Sequence, residues 1–328
     1  MQTDIEISGL RAPPGLKRVG LLHVGGSPSS RLSIPFTIIN GTGEGPTLTI
    51  IAGQHGTEYD AIAISLEIIR RITPEKLSGA LIVVPVVNIL GFDTRTRVEF
   101  PVDDRSNGRI QTNSIWPGDP LGSLPYRTIH TLFNEVAKKG HYFIDIHGGD
   151  LYESMTSMTM VTISGNSAVD ETSRTLAEVI GFEYIVESSA SKSRGSSRTE
   201  VSLEGIPSVL IEIGGRGQIS DELVERGVEG LMNVMKHLKM IEGDSHRKMD
   251  CLTIYDFVRI MSESSGLFRQ RVPTGSMVKP EEKIGEVISL DGTSIDVRAN
   301  ANGILIEAFN NPAVFTGEVL AEIALFRK

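Results

Sequence analysis

A chain of 328 residues with 40% hydrophobic and 22% charged side chains carries enough apolar material for one large core or two smaller ones. Its formal net charge of -9 argues against a nucleic-acid partner, because phosphate binding needs a basic face. A single cysteine, Cys251, excludes a disulfide framework within the chain and a cysteine-rich metal site.

The first ten residues have neither a basic nor an apolar signal-peptide region. No run approaches the roughly 18 apolar residues of a membrane span. A cytoplasmic location without membrane contact is therefore expected. The first ~45 residues read as a β-rich lead-in.

Residues 47–52 (TLTIIA) form a β-branched apolar run that ends at Gly53-Gln54-His55-Gly56-Thr57-Glu58. Apolar residues at helical spacing follow over 61–72, closing with Arg70 and Arg71, so this stretch predicts strand, loop and helix. Residues 80–87 (ALIVVPVV) are a continuous apolar run of the kind buried on both faces of a sheet. Residues 142–146 and 208–213 repeat that pattern, and helical periodicity falls near 126–139, 168–181 and 221–240. Strands alternating with helices predict an α/β fold with a mixed, mostly parallel sheet.

The pattern changes near residue 247. From Gly266 onward the chain shows short alternating strands and frequent turns, among them Asp291-Gly292 and Asn302-Gly303. We therefore expect a catalytic domain over 1–247 and a small all-β domain over 248–328.

Four polar residues sit at the ends of predicted strands. His55 and Glu58 have His-x-x-Glu spacing, His147 follows Asp145-Ile146, and Glu212 lies in Ile211-Glu212-Ile213-Gly214. Ligands of open α/β sheets gather outside the carboxyl ends of strands. Two histidines and one carboxylate leave a zinc coordination position open, as in the His₂Glu sites of zinc peptidases. Bound zinc lowers the pKa of water and polarises a carbonyl. A further carboxylate must then move the proton, and Glu212 is the candidate. Asp145, two residues before His147 on one strand face, is placed to orient a ligand. The remaining histidines, at 23, 130, 141, 237 and 246, have no such setting and read as surface or core residues.

These residues, with Val86-Val87-Asn88 between them, resemble the succinylglutamate desuccinylase/aspartoacylase family of the zinc carboxypeptidase superfamily over roughly residues 45–240. The resemblance implies a zinc-carboxypeptidase-like fold with one Zn²⁺ on His55, Glu58 and His147, and a catalytic Glu212. It also implies hydrolysis of an N-acyl amino acid or a related small amide. Arg97 matches a family arginine whose implied role is to stabilise the oxyanion. Arg198 resembles a further substrate-binding arginine.

One part departs from the family. Its usual Asn-Arg pair, which grips a substrate carboxylate, is Asn113-Ser114 here. A bidentate guanidinium is lost at that position. Either Arg105 or Arg109 takes its place, or the substrate lacks that carboxylate. The C-terminal region resembles a barrel-sandwich-hybrid domain. Its hairpin region over 290–297 lacks the lysine of a carrier domain, so a role in shaping the cleft or an oligomer contact is expected. Two alternatives stay open. One is a metallocarboxypeptidase for short peptides, against which Ser114 weighs. The other is a non-catalytic small-molecule binding protein, against which the complete set of four residues weighs.

Overall fold

The computed structural model describes residues 2–27, 30–97 and 110–327. The chain opens with a small two-stranded ladder, β1 (Ile5–Ile7) and β2 (Leu10–Ala12). There follow β3 (Leu16–Ser27), β4 (Ser30–Asn40), β5 (Gly43–Ala52), α1 (Tyr59–Arg71), β6 (Ser78–Val84) and α2 (Ile89–Thr94). The middle of the chain gives α3 (Leu124–Glu135), β7 (Tyr142–His147), β8 (Glu153–Met155), β9 (Met158–Ile163), α4 (Ser167–Ile180), β10 (Tyr184–Ser189), α5 (Ser197–Leu203), β11 (Ser208–Glu212) and α6 (Asp221–His237). From there on every described helix or strand is a strand. These are β12 (Leu252–Met261), β13 (Gly266–Gln270), β14 (Met277–Val278), β15 (Lys283–Ile288), β16 (Ser294–Arg298), β17 (Gly303–Phe309), β18 (Ala313–Val314) and β19 (Val319–Arg327).

One sheet runs through most of the molecule in the order β14-β17-β19-β12-β10-β9-β11-β7-β5-β6-β4-β3, with β8 paired to β17. Its middle is parallel: β6 with β5, β5 with β7, and β7 with β11. The β9–β10 and β10–β12 ladders are also parallel, and the other described ladders are antiparallel. The sheet is thus mixed, with its parallel part where apolar runs lie under helices. The antiparallel flank comes from the β3–β4 hairpin, whose connection is too short for a crossover.

The apolar runs are continuous because both faces of the middle strands are covered. Ile50 faces one cluster with Ile64 and Ile68 of α1, Leu176 of α4 and Leu231 of α6. Its neighbour Ile51 faces the other, with Phe143, Trp116, and Ile129 and Leu132 of α3. This alternation is the two-residue period of a strand, read against apolar layers on both sides. Helix α1 follows Glu58 at its N-cap position, carries Asp60 in its first turn and ends on Arg70 and Arg71, a charge order that suits the helix dipole.

The C-terminal strands extend this sheet. β12 pairs in parallel with β10, placing Leu252 beside Tyr184, and β17 pairs with β8, placing Glu307 beside Met155. A separate four-stranded sheet, β16-β15-β13-β18, closes over a further core that includes Phe268, Val287, Leu305 and Ile323. None of the described helices is long and apolar enough to cross a membrane.

Ile50 is fully buried in a middle strand. Ile50→Ala should cost about 2–5 kcal/mol, read as a lower urea midpoint with an unchanged slope.

Candidate metal centre

The middle ladders bring the carboxyl ends of β5, β7 and β11 side by side. Glu212, the last residue of β11, pairs in register with His147, the last of β7. Ala52 of β5 pairs with Ile146. The chain leaving β5 then turns through Gly53 to Glu58, which caps α1. Gly56 in this turn packs directly on the Gly91–Phe92 backbone, where any side chain would overlap main-chain atoms. His55 and Glu58 are thereby folded back over the strand ends.

His55, Glu58 and His147 converge, with one donor atom from each lying within 4.8 Å of the others. Glu58 Oε2 lies 3.0 Å from His147 Nδ1, and Glu58 Oε1 lies 3.9 Å from His55 Nε2. His55 is fully buried, and neither ring nitrogen has a hydrogen-bond partner among the described residues. Orphaned buried nitrogens are costly unless something binds them. A divalent metal fits this set, because two imidazoles and a carboxylate are its ordinary donors.

The electrostatics agree with that fit. Burial, together with the charges of Arg97 and His147, holds the His55 imidazole well below its usual pKa and so keeps it neutral. Burial also acts to lower His147, but Asp145 and Glu58 outweigh it and raise its pKa well above the usual value. Nε2 of His147 lies 3.2 Å from Asp145 Oδ2. With the Nε2 proton donated there, the Nδ1 lone pair is left for a metal.

A buried network fixes Asp145. Gln54 Nε2 and Ser197 Oγ both donate to Asp145 Oδ2. Gln54 Oε1 accepts from Trp116 Nε1 at 2.8 Å, which sets the orientation of the amide. Thr112 Oγ1 donates to the Gln54 carbonyl at 2.8 Å.

A cavity of about 480 Å³ opens beside the donors, lined among others by Glu58, Arg97, Asn113, His147, Glu212 and Glu307. Burial pushes the Glu212 carboxyl up to about 8; His147 and Arg97 oppose the rise, while Glu58 and Asp145 add to it. Burial and the carboxylates of Glu153, Glu322 and Glu212 likewise push Glu307 up to about 8. Arg97 Nη1 stands 3.4 Å from Glu58 Oε1 and 3.3 Å from Glu153 Oε2. Burial acts to lower the Arg97 pKa, but the carboxylates of Glu58, Glu153, Asp150 and Glu212 raise it. Asn88 caps α2 by accepting from Gly91 N, and donates to the Arg97 carbonyl at 3.3 Å. The arginine is therefore anchored through its backbone as well as its side chain.

The structure brings His55, Glu58, His147, Glu212, Arg97 and Asn113 together. Asn113 is half-buried, with Oδ1 unpartnered. Ser114 is exposed and turns its hydroxyl back to the Gln111 carbonyl. Arg198 is buried outside the cavity lining. Its guanidinium donates to Thr162 Oγ1 and Ser188 Oγ at 3.0 and 3.2 Å, and burial lowers its pKa to about 10. Arg105 and Arg109 lie outside the described residues. Sequence reasoning missed Gln54, Trp116, Ser197, Glu153 and Glu307. Gln54 adjoins His55 and offered a local signal, whereas the others reach the site through distant elements.

A family model of the succinylglutamate desuccinylase/aspartoacylase catalytic domain matches residues 44–238. The chain belongs to the succinylglutamate desuccinylase/aspartoacylase family. Among proteins of this kind, it is 24% identical over 303 residues to the N-alpha-acetyl-L-2,4-diaminobutyric acid deacetylase of Halomonas elongata, covering 89% of this chain and 85% of that one. Its fold is that of the product-bound ectoine utilization protein EutE (DoeB) from Ruegeria pomeroyi, with a TM-score of 0.84, 24% identity, and coverage of 99% and 100% of the two chains. A succinylglutamate desuccinylase/aspartoacylase from Rhodobacter sphaeroides matches with a TM-score of 0.82 at 24% identity, covering 95% and 96%.

Asp145→Asn should weaken divalent-metal binding about 10–100-fold, as loss of a group that orients a ligand does. Competition against a chromophoric chelator measures it, and unchanged affinity would remove Asp145 from the metal support.

Proposed function

We propose that this family member is a zinc-dependent deacylase that hydrolyses the amide bond of a small N-acyl amino acid. The observation that carries the reading is the buried convergence of His55, Glu58 and His147, with both His55 nitrogens unpartnered, beside Glu212 in one cavity. Family membership and the deacetylase relative support it.

His55, Glu58 and His147 would hold a zinc ion, which would supply Lewis acidity to acidify water and polarise the amide carbonyl. Glu212 takes the proton of the attacking water and delivers it to the leaving nitrogen, so that the products are a carboxylate and an amine. Arg97, held at the cavity by Glu58 and Glu153, stabilises the negative charge that develops on the carbonyl oxygen. Asn113, which lines the cavity, is placed to hold a polar group of the substrate.

The substrate reading follows from charge. Ser114 offers no cation for an acyl carboxylate. Glu307 has no cationic partner within ion-pair distance among the described residues. Both features favour a short uncharged acyl group on an amino acid that carries a second amine. The substrate named for the Halomonas relative has that character.

Glu212→Gln should retain stoichiometric zinc and lose about 10²–10⁴-fold in kcat, while His55→Ala should lose the metal. Zinc analysis alongside single-turnover assays separates the two, and wild-type rates in Glu212→Gln would show that another group is the base. On a panel of N-acyl amino acids, N-acetyl diamino acids should outrun N-succinyl amino acids and dipeptides. Faster dipeptide cleavage would mark a carboxypeptidase.

Metal binding should also depend on pH. With its pKa raised, His147 is protonated near neutrality in the metal-free protein, and a ligand imidazole must be neutral. Binding must therefore release a proton, and affinity must fall as pH falls. Calorimetry in buffers of different ionisation enthalpy reads the released proton directly.

A further inference from the structure

Asp60 stands in the first turn of α1, two residues beyond Glu58, and is 2% exposed. It makes no ion pair with any described cation. Its two oxygens accept backbone hydrogens instead: Oδ2 from Gly215 N at 3.1 Å and Oδ1 from Ser220 N at 2.7 Å. Burial raises its pKa, and those two hydrogen bonds work against the rise. An isolated buried carboxylate is expensive, and only part of that cost is offset by the α1 dipole. Packing alone does not call for a charge at this position.

The two amides bracket the segment that leaves Glu212. Glu212 is the last residue of β11, in register with His147 of β7 on one side and Met158 of β9 on the other, and the regular ladders end there. Beyond it the chain passes Gly214, at φ 86°, against the Asp60 carboxylate, where a side chain would overlap the carboxylate atoms. It then passes Gly215 and enters α6, whose cap is Ser220. The same helix start therefore carries Glu58 toward the metal donors and Asp60 toward the exit of the base strand.

We propose that Asp60 is a positioning residue that ties the Gly214–Ser220 segment to the start of α1, and so fixes Glu212 relative to Glu58. This rests on the deacylase reading above, in which Glu212 must lie within proton-transfer reach of the attacking water. A shift of a few tenths of an ångström there costs rate while leaving substrate binding largely intact.

Asp60→Asn keeps the volume but replaces one acceptor oxygen with a donor group, which cannot accept both amides. The expected result is at least a tenfold fall in kcat, with KM and zinc content within about twofold of the parent. Hydrogen exchange at Gly215 and Ser220 should quicken, while the β5 and β7 amides stay protected. Gly214→Ala, which presses on the same carboxylate from the opposite side, should give the same split between kcat and KM, and keeps the test open if Asp60→Asn folds poorly. A parent that hydrolyses N-acyl amino acids, with both variants equally fast, would overturn the positioning role alone. Loss of zinc in step with loss of rate would assign Asp60 to metal binding and also overturn it. A zinc-loaded parent without any amide hydrolysis would sink the deacylase reading, and this proposal with it.

Discussion

Most of the site is built around one unresolved demand: a fully buried imidazole, His55, with no hydrogen-bond partner for either nitrogen among the described residues. Buried polar groups in folded proteins are satisfied almost without exception, so the gap marks where something else belongs. The surroundings are arranged on the same assumption. Burial, with Arg97 and His147, keeps His55 neutral, Asp145 claims the far nitrogen of His147, and Gln54 is locked by Trp116 so that its amide hydrogens point at Asp145. Each of these contacts leaves a lone pair or a carboxylate oxygen directed at the same point. Filling the core at this position with apolar side chains would stabilise the fold more simply.

The fold that delivers this geometry was legible where the chain repeats itself. Continuous apolar runs at 47–52, 142–146 and 208–213 announced strands buried on both faces, and those three strands are neighbours whose ends carry the site. The convergence of His55, Glu58 and His147 was legible because His-x-x-Glu spacing and strand-end placement are both local. Gln54 and Ser197 were not, because an amide or a hydroxyl next to a histidine has many uses, and only the fold shows that both reach Asp145. Trp116 contributes from a turn 62 residues away from Gln54, a separation no local pattern bridges. The sheet is less uniformly parallel than the alternation of strands and helices implies. β9 runs against β11, a reversal that no periodicity in either strand encodes.

The end of the chain shows the same limit. Short alternating strands were readable, but not that β12 would pair with β10 and β17 with β8. Those two ladders turn the C-terminal strands into a wall of the cavity, with Phe257, Ile306 and Glu307 on it. The Glu307 side chain, about 250 residues along the chain from His55, thereby lies within the field of Glu153 and Glu212.

Glu212 and Glu307 share a raised pKa of about 8 in the metal-free cavity, yet different neighbours would relieve them. After burial, Glu212 is governed by His147, Glu58 and Arg97, so a dication on His55, Glu58 and His147 would act on it directly and favour its ionised form. After burial, Glu307 is governed by Glu153, Glu322 and Glu212, with Arg97 opposing them. A metal held by His55, Glu58 and His147 answers the first carboxylate more fully than the second.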